Sequence, residues 1–439
     1  MDSVPQVCQA LQQVFEQDAA PLARMEGLRE RSIPFSTLAQ VFVLGWLQHP
    51  DAGASRLARF AGCLGLSLSR QALDCHFTAA TAAWLQALVQ RGMQQMVRGQ
   101  GVPIALFQQF TGVYLEDGSR LPLPPSLAAW WPAGGTRRAE PRAEMHLTVR
   151  WNLLGGELAG LAWQAGREHE GRSLLRQQPL PVGSLWIADS GYWNLTRMRA
   201  MQQQGVHWLL RFKRGTVLWV EQKRFDLRAW LDTWMPEQQE AELVVDLGAA
   251  QQVKQVRLLV QRVEEGVKQQ REERMRQDAA DKGYQPSEEA LALCGWTLLV
   301  TTVEAERMTL WQAVVLQEAR WQIELLFKLF KQQHRLDEWT SQKPWRVLCE
   351  VFARLFALLI ENWLLLLSSW QEPERSLPAV AEIVQGQVPV LVLGLREQIP
   401  LEQAVRWVMQ SVQGGCCIDR RTDRPSTACK LLDALTSSA

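Results

Sequence analysis

Along residues 1 to about 105, alanine and leucine recur at helical spacing and strand-like runs are few, which predicts a helical head. From Ile104 the pattern changes to short apolar runs bounded by glycine, proline and acids, the pattern of strands. Residues 112–117 read as a short strand ending on an acid, and residues 184–189 as another. Between them, residues 146–152 and 157–163 flank Gly155-Gly156, the pattern of a β-hairpin. Residues 195–204 then read as a helix and 207–212 as a strand. Strand patterns follow at 241–246, 256–263 and 296–302. They are interrupted by a charged stretch at 264–289, expected to be a solvated surface helix or loop. From Met308 to about residue 369 the period is helical again. Beyond Gln371 the chain is expected to be proline- and glycine-punctuated turns, with an amphipathic segment at 401–412 and a basic end.

Strands alternating with helices between residues 112 and 212 predict an α/β core. The expected parts are a helical region at 1–105, the core's first part at 106–214 and a β-rich insertion at 215–302. A helical remainder of the core at 303–370 and a C-terminal region at 371–439 complete the chain.

Composition narrows the class. With 439 residues, 47% hydrophobic and 21% charged, the chain is neither disordered nor dependent on cross-links for a core. Its eight cysteines and six histidines show no zinc-type spacing, so reduced thiols and a cytoplasmic setting are expected. The first 18 residues lack the apolar run of a signal peptide. Residues 347–370 are apolar but carry Glu350, Arg354 and Glu361, so they read as a buried helix and no membrane partner is expected. Net charge is only +1, yet residues 195–235 hold eight cations against three acids, a local patch suited to phosphates. In the head, residues 57–73, with Ala61 and Gly65, fit a helix-turn-helix whose second helix touches DNA, or an ordinary helical hairpin.

Three acids are candidates for chemistry. Asp117 is followed by Gly118-Ser119, and Asp189 by Ser190-Gly191-Tyr192. Each reads either as a turn opener or as a carboxylate at the rim of a sheet. A third acid, Glu324, lies in a helical run where Arg320, Glu324, Lys328 and Lys331 share one face, beside apolar Ile323, Phe327 and Phe330. Surface ion pairing explains that face, and so does a carboxylate set among phosphate-binding cations. Carboxylates are the hard oxygen donors that Mg²⁺ takes, and a two-metal site about 3.5–4 Å apart cuts phosphodiesters.

The spacing of Arg320, Glu324 and Lys331 resembles the Tyr-Arg-Glu-Lys signature of DDE transposases of bacterial insertion sequences, the IS-four family. Asp117-Gly118-Ser119 resembles the first aspartate motif of that family, and Ala188-Asp189-Ser190-Gly191-Tyr192-Trp193-Asn194 its second. Gly166-Arg167-Glu168-His169 resembles the segment between them, and Arg424-Pro425-Ser426-Thr427 with Leu431-Leu432 the C-terminal basic motif. The resemblance spans residues 30 to 435. It implies a ribonuclease-H-like catalytic core with a β-rich insertion domain, a helical N-terminal DNA-binding region and a helical C-terminal region. Asp117, Asp189 and Glu324 would bind Mg²⁺, with Mn²⁺ as a substitute, and carry catalysis. Arg320, Lys331, Arg211 and Lys328 would contact DNA, and Trp296 would stack on a flipped base or serve as insertion core. The implied activity is cleavage at the inverted repeats and joining to target DNA, by a nucleoid-associated homodimer in a synaptic complex. The signature tyrosine is replaced by Gln317, which can still donate a hydrogen bond to DNA. That departure leaves a catalytically dead or domesticated DNA-binding copy as the alternative.

Overall fold

A computed structural model describes residues 4–95, 97–134, 142–168, 173–234, 238–368, 370–372 and 375–416. In the head, α1 (Val4–Gln12), a π-helical stretch (Gln13–Asp18), α2 (Ala19–Met25) and α3 (Phe35–Gln48) come first. Next are α4 (Ala54–Phe60), α5 (Arg70–Asp74) and α6 (Ala79–Met93), as the helical spacing predicts. Then follow α7 (Ala105–Gln108), β1 (Val113–Leu123), β2 (Ala143–Asn152), β3 (Leu158–Ala165), β4 (Leu185–Ala188), α8 (Leu195–Gln203) and β5 (His207–Arg211). The next segment holds β6 (Leu218–Val220), β7 (Lys223–Phe225), α9 (Leu227–Trp234), β8 (Glu240–Leu247) and β9 (Val253–Arg262). It closes with α10 (Glu265–Asp281), α11 (Glu288–Ala292) and β10 (Trp296–Thr301). The described residues close with α12 (Leu310–Ala319), α13 (Trp321–Gln332), α14 (Pro344–Ser368), α15 (Leu377–Leu395) and α16 (Leu401–Gly415). The fold is mixed α/β.

The chain forms two compact units. The first contains described residues 4–103, 116–178 and 322–416, and is built around α14. All but a few of the 25 residues of α14 are buried, Glu350, Arg354 and Glu361 included. Its apolar surface meets the head through Phe356 against Phe15, ring centroids 5.6 Å apart, and the hairpin through Phe352 against Trp163, 5.4 Å apart. Strands β2 and β3 pair antiparallel with Thr148 opposite Ala162, as the Gly155-Gly156 pattern predicts. Gly156 sits at φ 83°, and an added Cβ would lie 2.3 Å from the Trp370 ring. Only glycine satisfies both demands. Asn362 of α14 fastens the hairpin by donating to the Gly156 carbonyl at 3.1 Å and accepting from Leu158 N–H at 3.1 Å.

In this unit one open reading is narrowed and one expectation fails. The helix-turn-helix pattern resolves into α4, a 3₁₀ turn at Ala61–Leu64, and an α5 of only five residues. A single turn is too short to lie along a major groove as a recognition helix, and Asp74 at its end is held by Lys343 Nζ at 2.7 Å. The expected proline/glycine turns after Gln371 are instead the 19-residue α15. Ser376 caps its first turn, Pro378 is tolerated there, and Pro389 lies inside. By length and composition α14 and α15 could each cross a membrane, but α14 is a core helix, with 89% of its apolar window buried.

The second unit contains residues 104–115 and 179–321, and its strands run in the order β4-β5-β10-β9-β8-β6-β7. Strands β4 and β5 are parallel, with Ala188 opposite Leu210, and α8 makes the crossover. Trp208 Nε1 seats on the Met198 carbonyl of α8 at 3.2 Å. Strand β10 pairs antiparallel with β5, Leu299 opposite Arg211, so residues 215–302 join this sheet through β10. The charged stretch is α10, exposed along most of its length.

Candidate active site

Asp117 lies within β1 rather than at its end, because the strand continues through Gly118-Ser119 to Leu123. A turn at Asp-Gly is therefore excluded. Gly118 is small for a reason of packing: a Cβ there would meet His146 Nε2 at 2.3 Å. Strand alternation sends Glu116 and Asp117 to opposite faces. Glu116 is fully buried against Arg150 at 2.9 Å, itself 3% exposed, and serves the core. Asp117 is half-buried, with Oδ1 accepting from Gly118 N–H at 2.8 Å.

Glu324 stands in the first turn of α13, half-buried. Ile323, Phe327 and Phe330 are buried on the neighbouring face, as their spacing predicts. The continuous helix expected across 317–331 is broken at Arg320, which caps α12. The first unit joins α13 to the strand of Asp117: Lys331 Nζ donates to the Arg120 carbonyl at 3.3 Å. Trp339 Nε1 adds a bond to the Pro122 carbonyl at 2.8 Å. Lys328 is exposed.

In the second unit, Asp189 is the first residue beyond β4 and begins a 3₁₀ turn at Ser190–Tyr192. Because Ala188 faces Leu210 in a parallel pair, Asp189 and Arg211 come side by side at one sheet edge. Strand β10 starts and β9 ends at that edge, with Trp296 opposite Arg262. Trp296 is half-buried, and the Arg262 guanidinium lies over its ring at 4.9 Å. Gln317, by contrast, is only 4% exposed, so it offers no open surface to DNA. Neither of its amide atoms has a hydrogen-bond partner among the described residues. An unsatisfied buried amide costs roughly 1–3 kcal/mol. Gln317→Leu is therefore expected to raise unfolding stability by about 1 kcal/mol in urea titration; equal or lower stability would contradict this.

Two arginines at this edge escaped the sequence reading. Arg262 was hidden in an alternating strand, and Arg271 in a helix with charges all round. Arg271 Nη1 donates to the Trp296 carbonyl at 3.1 Å, and Nη2 to Thr297 Oγ1 at 3.3 Å. Burial, and then the charge of Arg211, push its guanidinium pKa below the usual value.

Asp117 and Glu324 belong to the first unit and Asp189 to the second. Among the described residues no three Asp, Glu, His or Cys side chains are gathered into a metal-holding group. The donor chemistry of the three acids nevertheless fits a hard divalent cation. His169 and the motif at 424–432 lie outside the described residues.

Residues 108–360 match the transposase DDE domain family. That is more than half of the chain, and the chain belongs to the DDE transposases of insertion sequences. It is similar to the transposase for insertion sequence element IS231E of Bacillus thuringiensis subsp. finitimus, 22% identical over 77% of this chain and 75% of that one. It is also similar to that for IS231D of the same subspecies, 23% identical over 77% and 75%. A clostridial relative, the transposase for IS1151 of Clostridium perfringens, is 20% identical over 70% and 68%.

Proposed function

We propose that the protein binds the terminal inverted repeats of its own insertion sequence, cleaves at those ends and joins them to target DNA. The observation that carries this reading is the placement of the three acids within a family-matched stretch. Asp117 lies on β1, Asp189 at the end of β4 beside Arg211, and Glu324 on a helix fastened to β1 through Lys331. The proposed core is ribonuclease-H-like, and the working form a homodimer on two transposon ends.

Asp117, Asp189 and Glu324 would hold Mg²⁺, which when bound supplies a lowered water pKa and charge neutralisation at the leaving oxygen. The chain's own part is positioning and charge. Lys328 and Lys331 neutralise phosphate oxygens along the helix of Glu324, and Arg320 does so from the break just before it. Arg211 does the same beside Asp189, and Trp296 stacks on an extruded base. Each transfer is an in-line displacement at phosphorus with no covalent enzyme intermediate. Incubating the full chain with Mg²⁺ and a duplex carrying the element's inverted repeat tests the proposal. Nicks at the repeat boundary and joined products are expected; their absence favours the second reading, a DNA-binding protein that no longer cuts. Buried Gln317 in place of the signature tyrosine is the observation favouring that second reading.

A further inference from the structure

The edge of the second unit gathers positive charge around the start of β10. Arg211 lies opposite Leu299, so its side chain shares a sheet face with Leu299 and, two residues away, Thr297. Arg271 arrives on that face from α10, where it reaches Thr297 Oγ1. Its other bonds among the described residues go to the carbonyls of Trp296 and Cys294, at 3.1 and 3.5 Å. Every one of these acceptors is neutral. Arg211 is exposed and has no carboxylate partner among the described residues. Two guanidiniums thus converge without an acid between them, although acids are plentiful on α10; the nearest in sequence, Glu272, is engaged by Arg276 at 2.8 Å.

Like charges in a half-buried setting repel, and a structural clamp on two carbonyls needs only one of them. An anion with several oxygens would satisfy both forks. We propose that Arg271 and Arg211 form a seat for one DNA phosphate, next to the base that meets Trp296. This rests on the transposase reading and adds α10 to the DNA-binding surface. The bonds from Arg271 to the β10 start would also fix the height of Trp296 relative to that phosphate, so base and backbone would be held by one rigid piece.

The test uses the full chain, a fluorescent duplex bearing the inverted repeat and a scrambled duplex of equal length. Affinity is measured from about 50 to 200 mM salt, where each lost phosphate contact lowers the log–log slope by about one. Arg271→Gln and Arg211→Ala are each expected to weaken end binding about tenfold and lower the slope by about one. The double variant should lose less than the sum, because one phosphate is shared. Arg271→Lys should restore most of the slope, since charge is the requirement. An unchanged slope in Arg271→Gln, with thermal unfolding as in the parent, overturns the seat. Should Arg271→Gln misfold, an unchanged slope in the exposed Arg211→Ala overturns it equally. A parent protein that fails to prefer the repeat over the scrambled duplex overturns the transposase reading itself. Preference for the repeat with both variants at parental slope overturns only the seat.

Discussion

Asp117→Asn and Glu324→Gln are each expected to abolish cutting at the transposon end while leaving end binding within a few-fold of the parent. Both changes keep shape and hydrogen-bonding capacity, and remove one negative charge. Asp117 is half-buried and bonds to its neighbour's N–H, a contact that an asparagine oxygen can keep. The strand is held by other means: Glu116–Arg150 on its opposite face, and Lys331 and Trp339 on the Arg120 and Pro122 carbonyls. Folding should therefore survive. Loss of one group that stabilises transition-state charge costs about 10²–10³ in rate, and loss of a cation ligand at least that. Nicking of an end-labelled repeat duplex in Mg²⁺, with binding followed on the same DNA, measures both quantities. Unchanged nicking by both variants would remove these acids from the chemistry. Glu116 supplies the contrast: Glu116→Gln should injure folding first, because it leaves Arg150 buried without its countercharge.

Much of this was legible in the sequence because local rules and tertiary packing agree. The Gly155-Gly156 hairpin, β4, α8 and β5 fall within three residues of the expected positions, since alternation and turn residues there match the folded environment. The apolar flank of Glu324 was readable for the same reason. Where local and tertiary signals conflict, the reading failed. Residues 377–395 carry two prolines and two glycines, yet Ser376 caps the first turn and burial of Val380, Val384, Val388 and Leu391 sustains a helix through Pro389. Asp-Gly-Ser reads as a turn, but the contact of Gly118 with His146 makes glycine a packing requirement inside a strand. The pattern at residues 57–73 signals two helices and a turn without revealing that the second is a single turn. Arg271 had no local signal. Its role comes from a sheet register that places Thr297 and Arg211 on one face.

The largest loss of stability is expected for Arg354→Ala. Arg354 is 1% exposed at the centre of α14. Nη1 donates to the carbonyls of Arg335 and Glu338, both at 2.7 Å, just beyond the end of α13. Nη2 donates to the Pro50 carbonyl at 2.7 Å and lies 3.4 Å from Glu350 Oε2. One guanidinium thus ties the head, the core helix and the segment following the Glu324 helix within the first unit. Burial lowers its pKa, and Glu350, itself fully buried, works in the opposite direction. Removing the arginine takes a donor from three carbonyls, of which that of Arg335 keeps the Glu338 N–H at 3.0 Å, and leaves Glu350 with Arg346 and Thr340 among the described residues. Breaking a buried pair by deleting one partner costs about 3–5 kcal/mol, readable as a lower urea midpoint. Arg354→Met with Glu350→Leu, which removes both charges and keeps volume, should recover part of that loss. If the double variant is no better than Arg354→Ala, the cost lies in the lost carbonyl bonds and in Arg346, which Glu350→Leu deprives of its closer partner. If Arg354→Ala is as stable as the parent, the network is incidental to the fold. Through Arg335 and Glu338 the same change should also loosen α13, so the variant's cutting rate should fall at temperatures where it is still folded.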